Sequence, residues 1–119
     1  MIARAFGLRV RSLATHYHLS YHVPLGTLAE MAAAIHARDH APAGPKSAEH
    51  RYVLEDVPYG LVCYERLAAI AGTTAPAMSA AITLACAAYG RDFRAENRLL
   101  ADLALDGISA ADLLTRCAG

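Results

Sequence analysis

The chain has no tryptophan, two phenylalanines and three cysteines among its 119 residues. With so few large aromatics, a core must be built from aliphatic side chains and alanine. That favours close-packed helices, and the β-branched runs that mark strands are scarce. The cysteines Cys63, Cys86 and Cys117 are odd in number, widely separated and set among apolar neighbours. This spacing excludes a disulfide framework and predicts buried, reduced thiols. Neither sign of charge is in excess, since 11 basic residues balance 11 acidic ones. Without a basic stripe there is no electrostatic footprint for nucleic acid. No apolar stretch approaches the length of a bilayer-spanning helix, because Thr, Ser, Gly or Pro interrupts each one. The first residues also lack the continuous apolar run and small-residue cleavage site of a secretory signal. The chain therefore reads as soluble and cytoplasmic, with no membrane partner.

Several catalytic motifs are missing as well. None of Ser12, Ser20, Ser47, Ser79 and Ser109 sits in a Gly-x-Ser-x-Gly elbow. There is no glycine-rich strand-to-helix turn for a dinucleotide or a phosphate, so any redox cofactor is held elsewhere. Six histidines are present, and His18/His22 and His36/His40 have the four-residue spacing that can bring two imidazoles to one metal ion. A site needs three or four ligands, however, and Pro24 interrupts a helix through His22. No metal site is expected, and these histidines read as helix-end or surface residues.

What is present is largely alanine- and leucine-rich helix, with 55% of residues apolar. Met1–Leu8 reads as the last turns of an amphipathic helix, too short to be stable alone. Arg11–Leu19 fits a short helix with Ser12 as N-cap. Val23–Arg38 fits another, in which Thr27 and Glu30 have capping-box spacing and His36 and His40 close the end. Ala41–Pro45 breaks the chain into a loop that runs to about Glu49. Arg51–Leu54 reads as a short extended segment. A largely buried helix is expected over Val57–Ala71, with Asp56 as its cap, Pro58 in its first turn and Gly72 as its stop. Further helices fit Pro76–Tyr89, ended by Gly90, then about Ala95–Leu105, then Ala110–Cys117 with Ser109 and Asp112 at its start. The expected fold is an all-α single domain.

The densest chemistry lies in Arg51-Tyr52-Val53-Leu54-Glu55-Asp56-Val57-Pro58-Tyr59-Gly60. A guanidinium can bind a substrate carboxylate through two parallel hydrogen bonds. A carboxylate at a helix terminus can hold a histidine imidazole in one tautomer and raise its basicity. The same two residues also fit a plainer description, an N-cap aspartate beside a surface arginine. Spacing alone leaves both readings open.

The run from Gly44-Pro45-Lys46-Ser47 through Arg51-Tyr52-Val53-Leu54-Glu55-Asp56-Val57-Pro58-Tyr59-Gly60-Leu61-Val62 resembles the signature of the octopine/nopaline (opine) dehydrogenases. The similarity is to their C-terminal helical domain, a 6-phosphogluconate dehydrogenase C-terminal-like fold. Tyr89-Gly90-Arg91-Asp92-Phe93 is similar to the same family, and Met1–Leu8 resembles the end of a longer helix that begins upstream in complete members. The resemblance covers most of the chain. It implies NADH- or NADPH-dependent reduction of the imine formed from an L-amino acid and an α-keto acid. It also implies that Asp56 is the catalytic aspartate that pairs with a histidine general acid/base, and that Arg51 is the substrate-binding arginine. None of the six histidines stands in a matching context, which places the catalytic histidine upstream of Met1. On this reading residues 1–119 are a partial C-terminal domain without the cofactor domain, inactive alone and completed by a missing N-terminal domain or by homo-oligomerisation. The alternative is a non-catalytic helical association module.

Overall fold

The computed structural model describes residues 1–38, 44–47 and 49–118. His40 and residues 41–43 and 48 of the expected 41–49 loop lie outside the described residues. The rest is helical, with no strand among the described residues. The helices are α1 (Ile2–Ala5), α2 (Leu13–Tyr21), α3 (Leu28–His36), α4 (Arg51–Asp56), α5 (Val62–Ile70), α6 (Pro76–Tyr89), α7 (Arg98–Asp102) and α8 (Ala110–Ala118). A π-helical turn, Val57–Leu61, joins α4 to α5. No helix is long and apolar enough to cross a membrane among the described residues. The contacts cluster into two compact units, one of Met1–Leu8 with the chain from Pro45 onward, the other Arg9–Gly44.

The smaller unit is a pair of packed helices, α2 and α3. Ser12 caps α2 by accepting from the Thr15 amide at 3.1 Å. The helix stops where His22 turns left-handed, and His18 Nδ1 lies 2.8 Å from the Val23 carbonyl just beyond. Val23–Gly26, expected in the next helix, stays outside it, as Pro24 lacks the amide a helix interior needs. α3 starts on the reciprocal capping box of Thr27 and Glu30. The Glu30 carboxyl is held below its ordinary pKa by the Thr27 hydroxyl and amide that donate to it. Val23 and Met31 are the buried apolar side chains of this unit.

The larger unit is organised around the long helix that α4, the π-turn and α5 form together. α6 packs against α5 and the π-turn, and α1 packs against α5. Its core is Val57, Val62, Ile82 and Phe93, with Val53, Leu54, Leu61, Ala85, Cys86, Tyr89 and Leu100 packed around it. Helix ends fall where the sequence places punctuation. Gly72 is left-handed, with the Thr73 amide returning to the Ala68 carbonyl at 2.9 Å. Gly90 does the same for α6, where the Arg91 amide returns to the Cys86 carbonyl at 3.2 Å. Ser109 opens α8 by accepting from the Asp112 amide at 3.1 Å and donating to that carboxylate at 2.6 Å. The expected Ala95–Leu105 helix is shorter, because Asp92 Oδ1 takes the Arg94 and Ala95 amides into a turn and Asn97 caps α7 instead. The cysteines are free, but only Cys63 and Cys86 are half-buried; Cys117 is exposed on α8, correcting the expectation that all three are buried.

Candidate functional site

Arg51–Leu54 is not extended but the first turn of α4, and Asp56 is not an N-cap. The cap is His50, in extended backbone, whose Nδ1 accepts from the Tyr52 amide at 3.3 Å. Its ring also stands edge-on to Tyr52 at 4.4 Å. The helix then continues through Pro58, where a regular α-helix would break or kink. Proline has no amide to give the Leu54 carbonyl, and its ring collides with that oxygen in regular geometry. The chain resolves the conflict by widening. The Val62 amide donates to the Val57 carbonyl, an i→i+5 bond, and the helix passes on into α5. Val57 and Pro58 are buried in this turn, which fixes it against the core.

Widening the helix takes the Val62 amide away from its α-helical acceptor. In an α-helix the Val62 amide would serve the Pro58 carbonyl. Asn97 takes that place, its Nδ2 donating to the Pro58 carbonyl at 2.6 Å and lying 3.3 Å from Cys63 Sγ. The other end of the amide, Oδ1, accepts from the Leu100 amide at 3.0 Å and so caps α7. Asn97 is 4% exposed, and no other polar residue among the described ones is as buried.

The two sequence-predicted site residues stand upstream of this turn. Arg51 is 69% exposed and makes a loose contact with Glu55 one helical turn on, Nε to Oε2 at 3.9 Å. It also lies 5.8 Å from the Tyr52 ring centroid. Asp56 is exposed, and its carboxylate has no hydrogen-bond or ion-pair partner among the described residues. Five α-helical steps separate Arg51 from Asp56 by about 140° around the axis, so the helix does not bring them together. Asp56 is thus released from the capping duty that would explain it structurally.

Beyond the π-turn, a cleft of about 530 Å³ is lined by Val62, Glu65, Arg66, Arg94, Asn97 and Asp106, among others. Arg94 clamps Glu65 with Nε at 2.7 Å and Nη2 at 2.9 Å, and reaches the Ser79 carbonyl at 3.3 Å. The Arg94 hydrogen bonds pull the Glu65 carboxyl down from its ordinary 4.5 to about 2, against some desolvation. Arg66 is paired with Asp106. Both cleft arginines therefore already carry a carboxylate, and the cleft contains neither Arg51 nor Asp56. In the loop that leads to Asn97, Arg91 grips Glu96 at 3.0 and 2.6 Å. Three histidines make local contacts: His16 Nδ1 lies 3.2 Å from Ser20 Oγ, His18 Nδ1 2.8 Å from the Val23 carbonyl, and His50 caps α4. No cluster of three potential metal ligands forms among the described residues.

Sequence reading missed Asn97 and the Glu65–Arg94 clamp. Asn97 precedes Arg98-Leu99-Leu100 as an N-cap would, and that was a usable signal for the start of α7. Its second role depends on a carbonyl 39 residues earlier that only the folded turn exposes.

The family model for the NAD/NADP octopine/nopaline dehydrogenase α-helical domain matches residues 1–89. An opine dehydrogenase from Arthrobacter sp. (strain 1C) is 35% identical over 112 residues, which is 94% of this chain and 31% of that protein. The chain thus spans about a third of the length of this curated relative. No solved structure matches the chain. On the family match and the extent of this identity, the chain belongs to the NAD/NADP octopine/nopaline dehydrogenase family, in the α-helical domain of those enzymes.

Proposed function

We propose that this chain is the substrate-binding C-terminal part of an opine dehydrogenase-like oxidoreductase. The reaction is reductive condensation of an L-amino acid with an α-keto acid at the expense of NADH or NADPH. The observation that carries the reading is the state of Asp56, an exposed carboxylate with no partner among the described residues, set directly before a helical irregularity pinned to the core. A π-turn of this kind is frequent at functional sites, where it re-aims the residues beside it. Family membership supports the same assignment.

In this reading Asp56 accepts from one ring nitrogen of a histidine that residues outside this chain supply. It fixes the tautomer, so that the other nitrogen can give and take the proton on the substrate nitrogen. Arg51 holds a substrate carboxylate. Its contact with Glu55 is long and solvated, so little is lost when a substrate carboxylate replaces it. In this reading the nucleotide is held by the remainder of the complete enzyme. The 119-residue chain alone is expected to be inactive.

The test is Asp56→Asn in the complete enzyme that contains this chain, assayed by NAD(P)H oxidation with pyruvate or 2-oxoglutarate and L-amino acids. Turnover should fall by about 10²- to 10⁴-fold, the usual worth of positioned acid–base catalysis. The melting temperature should barely move, because an exposed side chain without partners contributes little to folding. A marked loss of thermal stability with turnover retained would overturn the assignment.

A further inference from the structure

Asn97 does more than cap α7 requires. An N-cap needs one acceptor, and serine, threonine or aspartate supplies it without burying an amide group. Here the acceptor, Oδ1, serves the Leu100 amide, while the donor end is aimed at the Pro58 carbonyl inside the π-turn. The two sides of that turn are packed unequally. On the α5 side Val62 and Ala68 are buried, whereas on the α4 side Val53 and Leu54 are only partly buried against the core and Arg51, Glu55 and Asp56 face solvent. The turn between them sets the phase in which Asp56 leaves the helix. One extra residue in a helical turn changes that direction by about 100°.

We propose that Asn97 is a positioning residue for Asp56, locking the π-turn in one phase through its bond to the Pro58 carbonyl. The proposal rests on the catalytic role of Asp56 advanced above. Two devices divide the work. Pro58 excludes the regular helix, and Asn97 selects one of the irregular arrangements that remain, by donating to the carbonyl from which this arrangement withdraws the Val62 amide. Without the Asn97 donor, the buried carbonyl must seek water or a different backbone path, and Asp56 samples several directions. Catalysis suffers because a carboxylate must meet its imidazole within hydrogen-bonding distance.

Asn97→Asp separates the two roles. The aspartate keeps the size and the cap oxygen for Leu100 but, ionised, has no donor for Pro58. In the complete enzyme, with the assay already described, its kcat is expected to fall on the order of 100-fold with KM little changed. The double variant Asp56→Asn/Asn97→Asp should be no slower than Asp56→Asn alone, since a carboxylate that has been removed cannot be misplaced. Pro58→Ala offers an independent approach. It restores an amide at position 58, lets the helix return to regular geometry, and should show the same masking by Asp56→Asn. It decides the question if Asn97→Asp does not fold. Retention of kcat in Asn97→Asp and Pro58→Ala, or losses that multiply with that of Asp56→Asn, would overturn the positioning role. If Asp56→Asn alone abolishes turnover while these variants keep it, the catalytic reading stands and only this proposal falls. If Asp56→Asn itself keeps turnover, both fall together.

Discussion

The Glu65 carboxylate, half-buried beside α6, accepts two bonds from Arg94 and is held at a pKa of about 2. Its ordinary value is 4.5, so the folded state binds the proton more weakly than the unfolded chain does. Stability from this group is therefore fully present above about pH 4.5 and is lost as the pH falls towards 2. The Arg94 side chain is 39% exposed, and solvent screening keeps the net worth of the pair to about 1 kcal/mol. Glu65→Gln should be less stable than the parent by that amount at neutral pH, with the gap closing between pH 4.5 and 2. Urea melts across that range would show it. A gap that stays constant with pH would mean that shape, not charge, is what Arg94 recognises. Nothing local in the sequence announces this clamp, since its partners are 29 residues apart and come together only when the 91–97 loop folds back.

Among the elements, those with their signals inside a few consecutive residues were legible. Thr27 and Glu30 name the start of α3, Pro76 and Gly90 bracket α6 to the residue, and Ser109 with Asp112 opens α8. The failure at Arg51–Asp56 has a physical cause. The sequence alone puts Pro58 in a first turn, because a helix interior does not ordinarily accept proline, and that makes Asp56 the cap. The fold evades the rule by widening the helix and pairing the stranded carbonyl with Asn97, a remedy supplied from a distant part of the chain. The same contrast decides the sign of two glycine substitutions. A Cβ at Gly90 or Gly60 meets no atom within 4 Å, so neither change is steric. Gly90 has φ +62°, a left-handed conformation that costs an L-residue about 1 kcal/mol, and Gly90→Ala should destabilise by that much. Gly60 lies within the helix with no such φ, and Gly60→Ala should stabilise by about 0.5–1 kcal/mol through the lost freedom of the unfolded chain. Equilibrium melts of the two variants should shift in opposite directions; a shared direction would refute the backbone explanation.

At the scale of the whole molecule, the long helix presents apolar side chains to the core and the candidate site residues to solvent. Val57 and Val62 face Ile82 and Phe93, while Arg51 and Asp56 of the same helix face solvent. The core is small, and Phe93 is fully buried in it, edge-on to Tyr89 at 5.8 Å. Phe93→Ala removes that ring at a cost of about 3–5 kcal/mol, a large share of the roughly 5–15 kcal/mol that holds a typical domain together. The variant should be extensively unfolded near its working temperature, and any loss of turnover in the complete enzyme should track the unfolded fraction measured by circular dichroism. Cooling, or a stabilising osmolyte such as trimethylamine N-oxide, should restore both in parallel. Asp56→Asn, which leaves the core intact, should gain nothing from either treatment. The pair of variants thus separates the two faces of one helix. If Phe93→Ala stayed folded with turnover lost, the core would be touching the chemistry directly, and the division of labour drawn from Val57, Val62 and Asp56 would have to be abandoned.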